Sequence, residues 1–139
     1  MSTSPYNISL NQPDANGKFP IEIAMDKDDF TMVKSLIAAG ADPNIDLGYG
    51  WTPLHEAIEA CIDTMIQNNR DTFFPNLLEM VKVLVENGAD LNKKNADGKT
   101  PLDFINSYAG FKEGFDSLKT LFRPAIPNID ELIDYDSGK

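Results

Sequence analysis

Cysteine, histidine and tryptophan each occur once in this 139-residue chain, as Cys61, His55 and Trp51. A single cysteine excludes an intrachain disulfide and suits a reducing compartment. One His and one Cys do not make a zinc site. They stand six positions apart on one predicted helix, so they face different directions and form a poor nucleophile–base pair. Basic residues are also scarce, with 12 Lys and Arg against 22 Asp and Glu and a formal net charge of −10. Nucleic acid and anionic membranes reward basic patches, so neither is expected as a partner. A basic protein is compatible, because the opposite field would steer its approach. No run is long and apolar enough to span a bilayer, and Met1 to Asn7 carry neither a basic start nor an apolar stretch; a cytoplasmic protein is expected. The sequon Asn7-Ile8-Ser9 is then read as chance. Calcium-loop spacing and a glycine-rich phosphate loop are missing too. No catalytic, cofactor-binding or metal-binding residue is therefore assigned, and the chain is not read as an enzyme. A metal-dependent hydrolase or transferase working through scattered carboxylates is the alternative from another class.

What is present is a repeat. Asn16-Gly17-Lys18-Phe19-Pro20-Ile21-Glu22-Ile23-Ala24 aligns with Tyr49-Gly50-Trp51-Thr52-Pro53-Leu54-His55-Glu56-Ala57 and with Asp97-Gly98-Lys99-Thr100-Pro101-Leu102-Asp103-Phe104-Ile105. Thr52 follows Phe19 by 33 positions, whereas Thr100 follows Thr52 by 48. A second marker, Gly40-Ala41-Asp42 and Gly88-Ala89-Asp90, lies 21 and 36 positions after the first. Both intervals place an insertion of 15 residues in the middle copy. Thr52 and Thr100 suit helix caps, and Pro53 and Pro101 suit the first helical position. Phe19 has no cap-forming oxygen, so the first helix starts more weakly. Gly40 and Gly88 suit helix ends with positive φ, and Asn16-Gly17 and Asp97-Gly98 suit hairpin tips. Apolar residues recur at helical spacing in Met32, Val33, Leu36 and Ile37, in Leu77, Met80, Val81, Leu84 and Val85, and in Phe115, Leu118, Leu121 and Phe122 before Pro124. Such stripes are core far more often than cofactor pocket.

Thr52-Pro53-Leu54-His55-Glu56-Ala57 matches the T-P-L-H-x-A signature in full, and the 33-residue period agrees, so the chain resembles the ankyrin-repeat family over residues 16–123. The resemblance implies an all-α solenoid of about three helix-turn-helix repeats with short hairpin loops, near 16–48, 49–96 and 97–123. The first copy lacks Thr and His, and the third has Asp103 in place of His; atypical end repeats are expected where one face meets water. Residues 1–15 form a polar segment and 124–139 an acidic tail. The insertion between Cys61 and Pro75 keeps helical spacing through Ile58, Cys61, Ile62, Met65 and Ile66. It is read as a first helix about two turns longer, a turn near 68–72, Phe73 and Phe74 packed on that helix, and Pro75 opening the second helix. In the tail, Ile129, Leu132, Ile133 and Tyr135 alternate with Asp130, Glu131, Asp134 and Asp136. A short helix covering the end of the stack is preferred over a free acidic arm.

The resemblance also implies binding of a protein partner in the hollow made by hairpin tips and first helices, as a monomer or as a heterodimer with that partner. By register the tips are Asn16, Lys18, Tyr49, Trp51, Asp97 and Lys99, and the helical positions are Asp26, Lys27, Glu59, Ala60, Ser107 and Tyr108. Tyr49 and Trp51 are either an adhesive aromatic spot or, for Trp51, a ring folded back on the next hairpin. Asp26, Asp46, Glu56, Glu59 and Asp63 would supply an acidic rim for Lys or Arg, with Lys99 and Tyr108 beside it. His55 is implied to bridge repeats. A small acidic protein of this type resembles bacterial immunity proteins that neutralise a cognate toxin; a regulatory adaptor or host-directed effector binding a kinase, transcription factor or other signalling protein fits the same features.

Overall fold

The computed structural model describes residues 10–69, 74–109 and 112–133. The sequon at 7–9, Phe73, the turn at 70–72, and Asp134, Tyr135 and Asp136 lie outside them. Seven helices occur among the described residues, and no strand. They are α1 (Pro20–Asp26), α2 (Phe30–Ala38), α3 (Pro53–Gln67), α4 (Pro75–Glu86), α5 (Asp103–Ala109), α6 (Lys112–Phe122) and α7 (Ile129–Leu132). The packing is pairwise, α1 with α2, α3 with α4 and α5 with α6, and the pairs join through α2 on α4 and α3 on α5. This is the expected all-α stack of helix pairs.

The middle copy begins as its sequence dictates. Thr52 Oγ1 accepts from the His55 N–H at 3.4 Å, and Pro53 occupies the first turn. At α1, Phe19 forms no side-chain cap, and Glu22 Oε1 instead accepts the Phe19 N–H at 3.3 Å. The third copy departs from expectation. Pro101 and Leu102 form a turn, and α5 starts at Asp103. The Asp103 carboxylate accepts the Thr100 N–H at 2.8 Å while Thr100 Oγ1 accepts the Asp103 N–H at 3.2 Å. The first turn is tightened by an Ile105 N–H to Leu102 carbonyl bond of 3.0 Å, a three-residue spacing that delays the α-helix. At the far ends, Gly40 and Gly88 take φ of 118° and 101°. Each lets the next amide reach back five residues, Ala41 to Leu36 at 2.8 Å and Ala89 to Leu84 at 2.9 Å.

The 15-residue insertion lengthens α3, which has 15 residues against 7 in α1. Eight more residues add about 12 Å at 1.5 Å each. Leu54, Ala57, Ile58, Cys61 and Ile62 are buried, and each large aliphatic side chain among them contributes roughly 1.5–3 kcal/mol. The apolar stripe outruns its cover, however. Met65 is half-buried and Ile66 is 53% exposed, beside a neighbouring α5 of only 7 residues. Pro75 opens α4, and Phe74 is half-buried.

Beyond α6, Ala125, Ile126 and Ile129 are buried and belong to the core, with Leu132 and Ile133 against it. Residues 125–133 thus cover the end of the stack, as preferred above for the tail. Asp130 pairs with Lys119 Nζ at 3.0 Å and Arg123 Nη2 at 2.9 Å. These two cations, the Lys119 hydrogen bond foremost, hold its carboxyl below the usual range.

An asparagine ladder was not anticipated. Asn44 Nδ2 donates to the Gly88 carbonyl at 3.1 Å, and its Oδ1 accepts the Asp90 N–H. Thirty-three positions earlier, Asn11 does the same for Gly40 and Asp42, at 3.3 and 2.7 Å. Asn11 therefore stands in repeat register although it precedes residue 16, and the stacking pattern reaches back into the segment read as polar.

Candidate functional site

Three hairpin loops line up along one side of the stack, each braced by an acidic or amide side chain. Asp14 Oδ1 accepts the N–H groups of Asn16 and Lys18 at 2.8 and 3.0 Å. Asn95 Oδ1 accepts those of Asp97 and Lys99 at 2.9 and 3.0 Å. Asp46 Oδ1 accepts those of Gly48 and Gly50 at 2.7 and 2.9 Å. Asp46, expected at the acidic rim, thus spends one oxygen on the turn that carries Tyr49. The second and third hairpins are locked together. The Ala96 N–H donates to the Tyr49 carbonyl at 2.8 Å, and a Cβ on Gly50 would stand 2.8 Å from Asn95 Cα. Gly50, with φ of 74°, is required by that close approach.

His55 is fully buried at the joint between the middle and third copies. Nδ1 accepts the Thr52 N–H at 3.1 Å, which fixes the neutral tautomer with its proton on Nε2. Nε2 then donates to the Lys99 carbonyl at 2.9 Å. Burial is the main cause that lowers the imidazole pKa, against the raising influence of that carbonyl and of Asp103. The implied repeat bridge is thereby explained atom by atom. Asp103 reproduces only its local half, the bond to the preceding Thr N–H.

Trp51 and Tyr49 part company. The Trp51 ring stacks on His55 with centroids 5.2 Å apart at 30°, and tilts against Phe104 at 5.2 Å. Its Nε1 donates to Glu56 Oε1 at 3.0 Å. It is half-buried, and its ring lies neither free at the tip nor on the next hairpin but on His55 of α3 and Phe104 of α5. Tyr49 is 91% exposed with φ of 55°. Between the hairpins lies a cavity of about 520 Å³ whose walls include Tyr49, Trp51, Glu22, Glu56 and Asp97.

Glu56 and Asp63 are exposed and Glu59 half-exposed on α3, spaced at i, i+3 and i+7 on one face. Among the described residues no ion pair reaches any of the three. Burial first, then the charges of Glu56 and Asp63, push the Glu59 carboxyl above its ordinary pKa. Asp26 is exposed and shares Lys18 Nζ with Glu22, at 3.2 and 3.5 Å. Asn16, Lys27, Asp97, Lys99 and Ser107 are exposed and Ala60 is half-buried. Tyr108 belongs to α5, and its side chain lies outside the described residues.

Cys61 is fully buried, and desolvation pushes its thiol pKa up to about 12; it is a core residue and a poor nucleophile. Among the described residues no three His, Cys, Asp or Glu side chains are arranged to hold a metal, and no helix is long and apolar enough to cross a membrane.

Comparison with known proteins agrees with this geometry. The ankyrin repeat family model matches residues 49–96. A putative ankyrin repeat protein of Rickettsia felis is 40% identical over 67 residues, 48% of this chain and 25% of its own length. One of Rickettsia bellii is 33% identical over 94 residues, 63% of this chain and 47% of its own. Bovine ankyrin repeat and SOCS box protein 5 is 34% identical over 103 residues, 73% of this chain and 26% of its own. The chain thus spans less than half the length of each of these relatives.

Proposed function

The chain belongs to the ankyrin-repeat family, whose members are in general protein-binding modules rather than enzymes, and from that premise we propose that it binds a basic protein through the hollow formed by its hairpins and the exposed face of α3. The observation that carries this reading is the stripe Glu56, Glu59 and Asp63, which no cation among the described residues neutralises. Like charges at this spacing destabilise an isolated helix by about 0.2–0.5 kcal/mol per pair. A cationic surface relieves that repulsion on binding and is drawn in by it beforehand. The net charge of −10 acts in the same direction at longer range. Tyr49 supplies exposed aromatic area of the kind that anchors interfaces.

The finer proposal is an immunity-type inhibitor that sits on a basic toxin in the cytoplasm, as a heterodimer. A regulatory adaptor on a signalling protein draws on the same surface. Affinity purification from the native source separates them, with Glu59→Gln/Asp63→Asn as the comparison bait. A basic partner retained by the natural chain and lost by the variant is expected, and its identity as toxin or kinase decides between the two. A partner held equally by both baits, or one of acidic charge, would overturn the assignment of the surface.

A further inference from the structure

We propose that the cavity between the hairpins is a socket for a single arginine side chain of the protein partner, an inference that rests on the binding reading above. Its walls are of the two kinds that suit a guanidinium. The aromatic side is the half-buried Trp51, with Tyr49, 91% exposed, at the open rim. A planar, weakly hydrated guanidinium stacks on such rings better than an ammonium does. The anionic wall is Glu56 and Asp97. Glu56 Oε1 already accepts the Trp51 Nε1–H at 3.0 Å, which fixes the carboxylate and leaves Oε2 for the incoming fork. Asp97 forms no ion pair among the described residues. Glu22 also lines the cavity, but it is occupied by Lys18 Nζ at 3.5 Å and by the Phe19 N–H. The attraction is thus borne by two carboxylates, matched to one delocalised cation.

The socket is built before any partner arrives. The Ala96 to Tyr49 main-chain bond of 2.8 Å and the contact of Gly50 with Asn95 hold its two sides at fixed separation. Trp51 is clamped by His55 and Phe104. A volume of about 520 Å³ falls in the range of preformed small-ligand sites, roughly 300–1,000 Å³. The Tyr49 side chain, 91% exposed, is the part left to order when one side chain enters.

The test is a titration of the natural chain followed by NMR at constant ionic strength. Acetyl-Gly-Arg-Gly-amide is compared with the same peptide carrying citrulline, the neutral isostere of arginine, or lysine. Saturable shifts of the Trp51 indole N–H, the only one in the chain, and of the amides of Tyr49, Gly50 and Asp97 are expected at millimolar peptide. The midpoint should rise about tenfold with citrulline, or with arginine on Glu56→Gln, as one charged hydrogen bond is lost. Tyr49→Gly, which keeps the positive φ, should weaken binding with the fold intact. Equal shifts with citrulline, or none with arginine, would overturn the socket; a lysine peptide that matches arginine would overturn the guanidinium assignment. If the arginine peptide fails while Glu59→Gln/Asp63→Asn still releases the protein partner, the socket falls and the α3 surface stands.

Discussion

Replacing His55 with alanine tests the joint between repeats most sharply. The change removes the 2.9 Å bond from Nε2 to the Lys99 carbonyl and strips the Thr52 N–H of its acceptor. Thr52 is itself buried, and a buried amide without a partner costs about 1–3 kcal/mol. The vacated space lies under Trp51 and beside Phe104, and loss of a buried ring of this size adds about 2 kcal/mol. The total is roughly 3–5 kcal/mol, a large part of the whole stability expected at about 0.05–0.15 kcal/mol per residue. Urea unfolding followed by circular dichroism measures it. The same joint makes stability depend on pH. His55 is neutral in the fold and its folded pKa is depressed, so below the ordinary value near 6.5 the unfolded chain binds a proton that the native chain refuses. Stability should therefore be full above that value and fall with acidification until the folded pKa is passed, by at most about 1.4 kcal/mol per pH unit. His55→Gln should flatten the profile between pH 6.5 and 5. A loss under 1 kcal/mol in the alanine variant, or an unchanged profile in His55→Gln, would refute the bridge.

Further outcomes follow from the same contacts. Gly50→Ala should destabilise the fold by more than about 1 kcal/mol, since its Cβ meets Asn95 backbone and its φ is positive; thermal melts check this. Glu59→Gln should raise the melting temperature at neutral pH by on the order of 1–2 °C. The folded carboxyl titrates above its unfolded value, so the penalty of its charge is absent below the unfolded pKa and grows as pH rises through the folded one; the gain should vanish in acid. Ile129→Ala should cost about 2–4 kcal/mol because the side chain is fully buried, whereas Asp130→Asn, on an exposed carboxylate, should leave the melting temperature nearly unchanged. Trp51→Ala should weaken the fold as well as the complex, given its seat on His55 and Phe104; comparing melts with partner affinity separates the two.

The stack was legible wherever local chemistry and repeat register agreed. Thr52-Pro53, Gly40 and Gly88 announce their helix ends because caps and positive-φ residues act within one turn. The length of α3 follows from continued helical spacing through the insertion. Pro101 misled, because the Ile105 N–H closes on the Leu102 carbonyl at three-residue spacing and the α-helix begins only at Asp103, a local tightening that register alone hides. Ile66 looked like core because spacing reports a face without saying how far the neighbouring helix extends. In the candidate site, sequence placed Tyr49 and the α3 carboxylates on the right elements. It missed that Trp51 would lie on His55 and on Phe104, the latter 53 positions further along the chain. It also missed the turn-bracing work of Asp46, although Asp14, Asp46 and Asn95 at the head of each hairpin carried that signal. Asn11 was detectable too, since it stands 33 positions before Asn44.

The central claim is that the acidic face of α3 and the adjoining hairpins take a basic protein. Its most direct test is calorimetric titration of the co-purified partner into the natural chain and into Glu56→Gln/Glu59→Gln/Asp63→Asn, at low and at physiological salt. Affinity should fall by at least tenfold in the variant, with a weakened salt dependence and an unimpaired melt. Equal affinity and equal salt dependence for the two chains would contradict it.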